Sequence, residues 1–177
     1  MRGRQRYYGL VPDDPQALGE RLEEPLRECE VVLLSGGVSM GDLDFVPGVL
    51  ESKGARILFH RLALKPGKPT LFAVAEGASS GGTYVVGLPG DPVSTFIVFE
   101  GFVKALLYRL MGVEYRPRQV RLPLGQALRR RDTERLEYRP VHLEAGRVLA
   151  AEYHGSSHLN ALAGAEGLIR IERGVAQ

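Results

Sequence analysis

Residues 31–42 read VVLLSGGVSMGD, and this stretch decides the fold class. Its four leading apolar residues form a short continuous run, which is typical of a strand buried on both faces of a parallel sheet. The run ends in the turn Ser35-Gly36-Gly37, where glycine lets an anion approach the backbone closely. Open α/β sheets bind ligands at the carboxyl ends of their strands, so we predict a ligand site at this turn. Taken alone, an ordinary tight turn explains Gly36 and Gly37 equally well.

Helical and strand patterns alternate around this stretch as far as residue 111, which favours an α/β domain with a mostly parallel sheet and flanking helices. Strands are predicted over residues 31–34, 56–59, 70–75 and 84–86, and helices over residues 15–28, 44–52 and 93–111. The last helix is apolar nearly all round, so we expect it to be buried between layers.

Helix caps follow from the polar residues that precede each helical pattern. Asp13 or Asp14 is expected to cap the first helix, Asp44 the second and Asp91 the third. Pro25 falls inside the first helix and should kink or shorten it.

The pattern changes after Gly112 to short apolar segments divided by glycine, proline and charged turns. These segments, at residues 120–124, 137–143, 148–152 and 167–171, predict a small all-β domain. We therefore expect an α/β domain over residues 1–114 and a β domain over residues 115–177.

Composition limits the classes of function that this chain can have. It has 177 residues, a formal net charge of +2 and a single cysteine, Cys29, so we expect no disulfide, no zinc site and a reduced, cytoplasmic protein. No apolar run is long enough to span a membrane. The basic stretch 129–131 reads as a solvated face, and the low net charge gives no support for nucleic-acid binding.

Lysine use points to an oxyanion site. Only four of the 23 basic residues are lysines, yet Lys65 and Lys68 share one turn, which Pro66 and Pro69 stiffen. An ammonium meets an oxyanion as a compact point charge, which a guanidinium does not reproduce. A solvated surface turn is the alternative.

Further candidates each have a plainer explanation. Asp42 and Asp44 could hold Mg²⁺ near phosphates, although Asp44 alone could equally be a helix cap. Asp91 is best explained as a cap on local grounds, and Ser156 as part of an ordinary serine turn. His60 lies beside Phe59 and is typical of a packed strand residue rather than of a base.

Taken in order, the motifs resemble the molybdopterin molybdenumtransferase family, which includes MoeA and the E domain of gephyrin. The resemblance rests on residues 11–15 (VPDDP), 35–45 (SGGVSMGDLDF), 64–69 (LKPGKP), 87–94 (GLPGDPVS) and Gly155-Ser156. It implies a MogA-like molybdopterin-binding α/β domain followed by a small, barrel-like β domain. It also implies insertion of molybdate into adenylylated molybdopterin, with release of AMP and a requirement for Mg²⁺.

The resemblance and the residue patterns together give a set of expected site residues. Catalytic roles are expected for Asp13, Asp44, Lys65 and Lys68, and Mg²⁺ binding for Asp42 and Asp44. Substrate contacts are expected from Ser35, Gly36, Gly37, Ser39, Pro89, Gly90, Pro92 and Ser156. The family usually has Asn at the position of Asp91, so this added carboxylate is expected to cap its helix or face Mg²⁺.

Family members carry further N-terminal domains and an Asp-Ser-Asn phrase after a first strand, and this sequence contains neither. We therefore expect a C-terminal portion of such an enzyme that turns over slowly on its own and forms a homodimer through its α/β domain. The adenylyltransferase of the preceding step is an expected partner. The alternative readings are a molybdopterin adenylyltransferase and a non-catalytic scaffold or partner-binding fragment.

Overall fold

A computed structural model describes residues 3–39, 44–77, 81–151 and 162–177. The chain divides into two compact units, each with a four-stranded sheet in its described part. The first unit comprises Met1–Leu62, Pro69–Gly90 and Leu110–Gly112, and the second comprises Ala63–Lys68, Asp91–Arg109 and Val113–Gln177.

Helices and strands alternate in the N-terminal part of the chain, and strands follow in the C-terminal part. In chain order they are α1 (Pro15–Glu28), β1 (Val31–Ser35), α2 (Val46–Ser52), β2 (Arg56–His60), β3 (Leu64–Lys65), β4 (Leu71–Ala75), β5 (Thr83–Leu88), α3 (Pro92–Val98), a π-helical segment (Phe99–Val103), α4 (Lys104–Leu110), β6 (Leu136–Glu144), β7 (Arg147–Ala150) and β8 (Gly167–Ile171). Within the described ranges, no helix is both long enough and apolar enough to cross a membrane.

The sheet of the first unit has the order β1-β5-β4-β2 and is mixed. Strands β1 and β5 are parallel, with Ser35 opposite Leu88, whereas β5–β4 and β4–β2 are antiparallel. The predicted predominance of parallel pairing is therefore wrong. Residues 76–82 are too few for the crossover of a dozen or more residues that parallel neighbours need, so β4 and β5 pair as a hairpin.

The core of the first unit lies between its helices and its sheet. Leu22 of α1 and Leu50 of α2 are fully buried with Leu71 and Val85 of the sheet. Strand β1 is an edge strand, and its side chains alternate between the two environments, since Val32 is buried while Leu33 is 42% exposed. The prediction that this strand is buried on both faces is wrong, because only one face of the edge strand is covered.

The N-terminal cap of α1 is as predicted, whereas that of α2 is not. Asp14 caps α1, since its Oδ1 accepts a 2.7 Å hydrogen bond from the backbone N–H of Ala17. Pro25 does not shorten α1, which continues to Glu28. Phe45, not Asp44, is the N-cap residue of α2, which has no capping hydrogen bond from a side chain.

The third predicted helix is present as α3, the π-helical segment and α4 in succession. Asp91 caps it as predicted, accepting a 2.8 Å hydrogen bond from the N–H of Ser94, and Gly112 follows its end with a φ of +74°. Its burial differs from the prediction, because Val93 and Val98 are fully buried whereas α4 contains no buried residue.

The sheet of the second unit is also mixed. Strand β6 pairs in parallel with β3 and antiparallel with both β7 and β8. These strands confirm three of the four predicted in this region, but residues 120–124 form only an isolated bridge, from Leu124 to Val148. No pairing among the described strands closes the sheet, so a barrel is not confirmed.

Arg130 lies inside the second unit rather than on a solvated face. Its side chain is 2% exposed, and its guanidinium donates to the backbone carbonyls of Val175, Arg135 and Glu172. Arg129 and Arg131 are exposed, as predicted. The buried guanidinium ties the start of the β region to its last residues.

Candidate functional site

Two glycine-containing turns lie side by side at the carboxyl ends of β1 and β5 in the first unit. Ser35 Oγ donates a hydrogen bond to the carbonyl of Pro89 at 3.3 Å, and the N–H of Gly36 donates to the carbonyl of Leu88 at 3.1 Å. A Cβ built on Gly90 would lie 3.6 Å from the Cα of Gly36. The parallel pairing of the two strands therefore brings together five of the predicted substrate contacts: Ser35, Gly36, Gly37, Pro89 and Gly90.

Glycine is required in the first of these turns by conformation and by space. Gly36 and Gly37 have φ values of +90° and +66°, and a Cβ on Gly37 would lie 3.0 Å from Cγ2 of Val46. The N–H of Gly36 already donates to the carbonyl of Leu88, so this backbone donor is engaged within the fold. Ser39 is exposed just beyond the turn.

Behind this turn, Val38 and His60 fix the backbone that leads away from it. Val38 is 2% exposed, and its carbonyl accepts a 2.8 Å hydrogen bond from Nε2 of His60. A Cβ on Gly87 would lie 2.5 Å from Cγ1 of Val38, so β5 packs closely against this residue. His60 is therefore engaged in supporting the turn, consistent with the prediction of a packed strand residue.

The predicted acidic residues of the first unit lie near the N-termini of α1 and α2. Asp44 lines an open depression of about 510 Å³ together with Pro15, Gln16, Phe45, Gly48, Val49 and Ser52. Asp13 is exposed two residues before Pro15. The lining does not include the two glycine turns, so the depression is a separate feature of this unit.

The lysine turn belongs to the second unit. Lys65 ends β3, the following peptide bond to Pro66 is cis, and Lys68 is exposed. Gly67 is buried with a φ of +116°, and a Cβ there would lie 2.7 Å from Cγ2 of Val98. Glycine therefore lets the turn pack closely on α3.

Lys65 lies beside a buried carboxylate that the sequence analysis did not select. Glu137 of β6 has a side chain that is 2% exposed, and its Oε2 lies 3.8 Å from Nζ of Lys65 and 3.8 Å from Nη1 of Arg130. Nε of Arg139 donates to Oε1 of Glu137 at 2.5 Å. Among the described residues, Oε2 accepts no hydrogen bond.

A second acidic residue, Asp132, interacts with Arg135 and with the charge of Lys65. Asp132 accepts two hydrogen bonds from Arg135, at 2.8 Å to Nε and 2.5 Å to Nη2. The pKa of Asp132 is lowered by these bonds, by the N–H of Glu134 and by the charge of Lys65. The cluster of Lys65, Arg130, Arg135, Arg139, Asp132 and Glu137 therefore combines four basic side chains with two carboxylates.

A signal for Glu137 was present in the sequence. Arg135 directly precedes β6, and Glu137 and Arg139 follow at alternate positions within it, where alternate residues project from the same face. An acid between two arginines on one face predicts a local charge cluster. Its burial by Arg130 and its pairing with Lys65 could not be read from that spacing.

Two predicted site residues, Asp42 and Ser156, lie outside the described residues. Pro92 is described and occupies the first turn of α3, directly after the Asp91 cap. Within the described ranges, no group of three or more His, Cys, Asp or Glu side chains is arranged to hold a metal ion.

Both parts of the chain match families of known proteins. Residues 3–109 match the family model described as "Probable molybdopterin binding domain", and residues 122–177 match "MoeA C-terminal region (domain IV)". The molybdopterin molybdenumtransferase of Synechococcus elongatus is 34% identical over 86% of this chain and 37% of its own length. The enzyme of that name from Nostoc is 37% identical over 60% of this chain and 24% of its own length.

The fold is also found among solved structures. A molybdenum cofactor biosynthesis protein from Pyrococcus furiosus superimposes with a TM-score of 0.73 at 25% identity, covering 96% of this chain and 52% of that one. The chain thus spans about a quarter to somewhat over a third of the length of these two curated relatives. With family models matched along most of its length, this chain belongs to the MoeA family.

Proposed function

We propose that this chain acts in molybdenum cofactor biosynthesis as part of a molybdopterin molybdenumtransferase, which inserts molybdate into adenylylated molybdopterin and releases AMP. The observation that carries the proposal is the pair of adjoining turns at the ends of β1 and β5, joined by the hydrogen bond from Ser35 to Pro89. The names of the relatives support the same reaction.

In this proposal the two turns bind the pterin substrate and its phosphate. Backbone that lacks Cβ atoms at Gly36, Gly37 and Gly90 can approach a ligand more closely than other residues allow. Ser35, Ser39, Pro89 and Pro92 complete the contacts that we assign to substrate, together with Ser156. The fixed geometry of the two turns lowers the entropy lost on binding.

Lys65 and Lys68 are proposed to bind the oxyanion charge of molybdate and of the leaving phosphate. A group that meets charge as it grows in the transition state contributes about 3 to 4 kcal/mol in measured cases. Lys65 is suited to this role because its side chain is 36% exposed and its Nζ lies 3.8 Å from Oε2 of Glu137, too far for a hydrogen bond.

Asp13 and Asp44 are proposed to organise the leaving AMP, and Asp42 with Asp44 to hold Mg²⁺. Mg²⁺ keeps several waters and takes one or two carboxylates beside substrate phosphates, so a complete cage of protein ligands is not needed. When bound, the ion would supply positive charge at the phosphate. The depression lined by Asp44 and Pro15 supports this placement.

The proposed function is tested by AMP release under single-turnover conditions, with the 177-residue chain in excess over adenylylated molybdopterin. AMP is expected only when Mg²⁺ and molybdate are both present, and the Lys65→Ala variant is expected to release it about a hundredfold more slowly. Lys53→Ala is the matched control, because Lys53 pairs with Glu23 in the first unit. An unchanged rate in Lys65→Ala would remove that lysine from the mechanism.

The same chain also allows molybdate insertion to be distinguished from the two alternative functions. Formation of adenylylated molybdopterin from ATP and molybdopterin without molybdate would assign the adenylyltransferase reaction. Failure to bind pterin or nucleotide, with tight binding to a protein partner, would assign a scaffold. Binding to the adenylyltransferase of the preceding step is expected in addition to transfer activity, since that enzyme supplies the adenylylated substrate.

We also propose that the α/β domain comprises residues 1–114 and the β domain residues 115–177. A homodimer is proposed to form through the helical region of the α/β domain. Phe96 is 42% exposed on α3, and Tyr108 is 37% exposed on α4, where no residue is buried. Sedimentation equilibrium at micromolar concentration is expected to show a dimer that Phe96→Glu dissociates. Val120→Glu, which alters a residue that is 77% exposed, should leave the dimer intact. A monomeric parent chain would contradict the proposal.

A further inference from the structure

We propose that Glu137 is a positioning residue that holds the Lys65 ammonium ready for an oxyanion. The inference rests on the oxyanion role proposed above for Lys65 and extends it to a residue with no assigned part in the reaction. Lys65 and Glu137 are register partners where β3 pairs with β6, so the strand pairing itself brings the two side chains together.

Burial of Glu137 makes its charge effective. Its side chain is 2% exposed, and attraction between charges is stronger where water is excluded. Arg130 and Arg139 also neighbour this carboxylate, and Arg130 is fixed in turn by three backbone carbonyls. The carboxylate is thus held by rigid neighbours and attracts Lys65 from a fixed point.

The distance to Lys65 leaves the ammonium able to bind a ligand. At 3.8 Å, Nζ of Lys65 is beyond hydrogen-bond distance of Oε2, so the carboxylate orients it by charge without taking one of its N–H donors. The four basic and two acidic residues of the cluster leave a formal charge of +2 for an anion. Glu137 therefore limits the motion of Lys65 without neutralising the cluster.

Molybdate binding by the Glu137→Gln variant distinguishes two explanations, because they predict opposite changes in affinity. Loss of the carboxylate raises the charge of the cluster, so simple attraction predicts tighter binding. Positioning predicts binding of inorganic molybdate weaker by about tenfold, as when one charge-assisted hydrogen bond is partly lost. Glu137→Asp keeps the charge and should recover part of the affinity, and in the Lys65→Ala background Glu137→Gln should have no further effect. Tighter binding by Glu137→Gln, or an undiminished effect without Lys65, would overturn the inference.

The mobility of Lys65 supplies a readout that needs no ligand. Reductive methylation with ¹³C-formaldehyde labels the four lysines, and Lys→Arg variants assign their NMR signals. The Lys65 methyl signals are expected to be broader than those of exposed Lys68 in the parent chain and to sharpen in Glu137→Gln. Glu23→Gln is the matched control and should release only Lys53, which Glu23 contacts at 2.7 Å.

The two readouts separate the inference from the proposed function. Equal mobility of Lys65 and Lys68 in the parent chain would overturn the inference without relying on a variant that must fold. Restrained Lys65 in a chain that binds no molybdate would refute the oxyanion role and, with it, the purpose assigned to Glu137. Restrained Lys65 with molybdate binding weakened by Glu137→Gln supports both.

Discussion

Lys65 lies directly opposite Glu137 where the two-residue strand β3 pairs in parallel with β6. This pairing makes the lysine turn a part of the sheet that forms the second unit. The backbone bond from Leu136 N to the carbonyl of Ala63, at 2.9 Å, secures the same junction. The position of a proposed catalytic lysine is therefore set by a strand from the C-terminal part of the chain.

Replacing Arg130 should destabilise the second unit strongly. Arg130→Met removes the donor to three carbonyls and leaves Glu137 with one fewer cation in a buried position. The loss of unfolding free energy is expected to be about 3 kcal/mol or more, measured by urea denaturation. Arg129→Met, at an exposed neighbour, should change it by less than about 0.5 kcal/mol. Similar values for the two variants would show that the buried pair contributes little.

Gly67→Ala should distort the lysine turn. The added Cβ would lie 2.7 Å from Val98, at a φ of +116° that other residues rarely adopt. A cost of about 1 to 3 kcal/mol is expected from thermal unfolding. Gly101→Ala is the control, because a Cβ there meets nothing within 4 Å. A neutral Gly67→Ala would mean that the turn can shift away from α3.

Substitutions at two adjacent aspartates should have different effects, with Asp14→Ala reducing stability and Asp13→Ala reducing activity. Asp14→Ala removes the cap of α1 and is expected to cost about 1 kcal/mol. Asp13 is exposed and does not cap the helix, so Asp13→Ala should change stability by less than about 0.5 kcal/mol while slowing AMP release. Chemical denaturation and the single-turnover assay measure the two effects. Full activity in Asp13→Ala would exclude its catalytic role.

The ion pair of Asp132 and Arg135 should contribute stability that acid removes. The pKa of Asp132 is lowered in the folded state, so its carboxylate stabilises the fold above its unfolded pKa of about 4. This contribution disappears as the pH falls through the lower folded value. Asp132→Asn should therefore be less stable than the parent at pH 7, with the gap closing below about pH 4 in urea titrations. A gap that is constant down to pH 2 would contradict the assignment.

Much of the local structure could be predicted from the sequence because its causes are local. The span of α1 follows from helical periodicity and a nearby cap, and Asp91 was identified as the cap of α3 in the same way. The positive φ of Gly36 and Gly37 is consistent with the predicted turn after β1. Local pattern did not separate Asp44 from Phe45 at the start of α2, since helix boundaries depend on backbone contacts such as that from Val46 N to the carbonyl of Gly37.

The sequence by itself determined the order of most helices and strands, the glycine and lysine turns and the family. Only the tertiary structure decided that β4 and β5 run antiparallel, that Leu33 is exposed at a sheet edge and that Arg130 is buried. It also decided that Lys65 meets Glu137. Caps, turns and periodicity act between residues close in the chain, whereas strand direction, burial and ion pairing depend on which distant segments pack together.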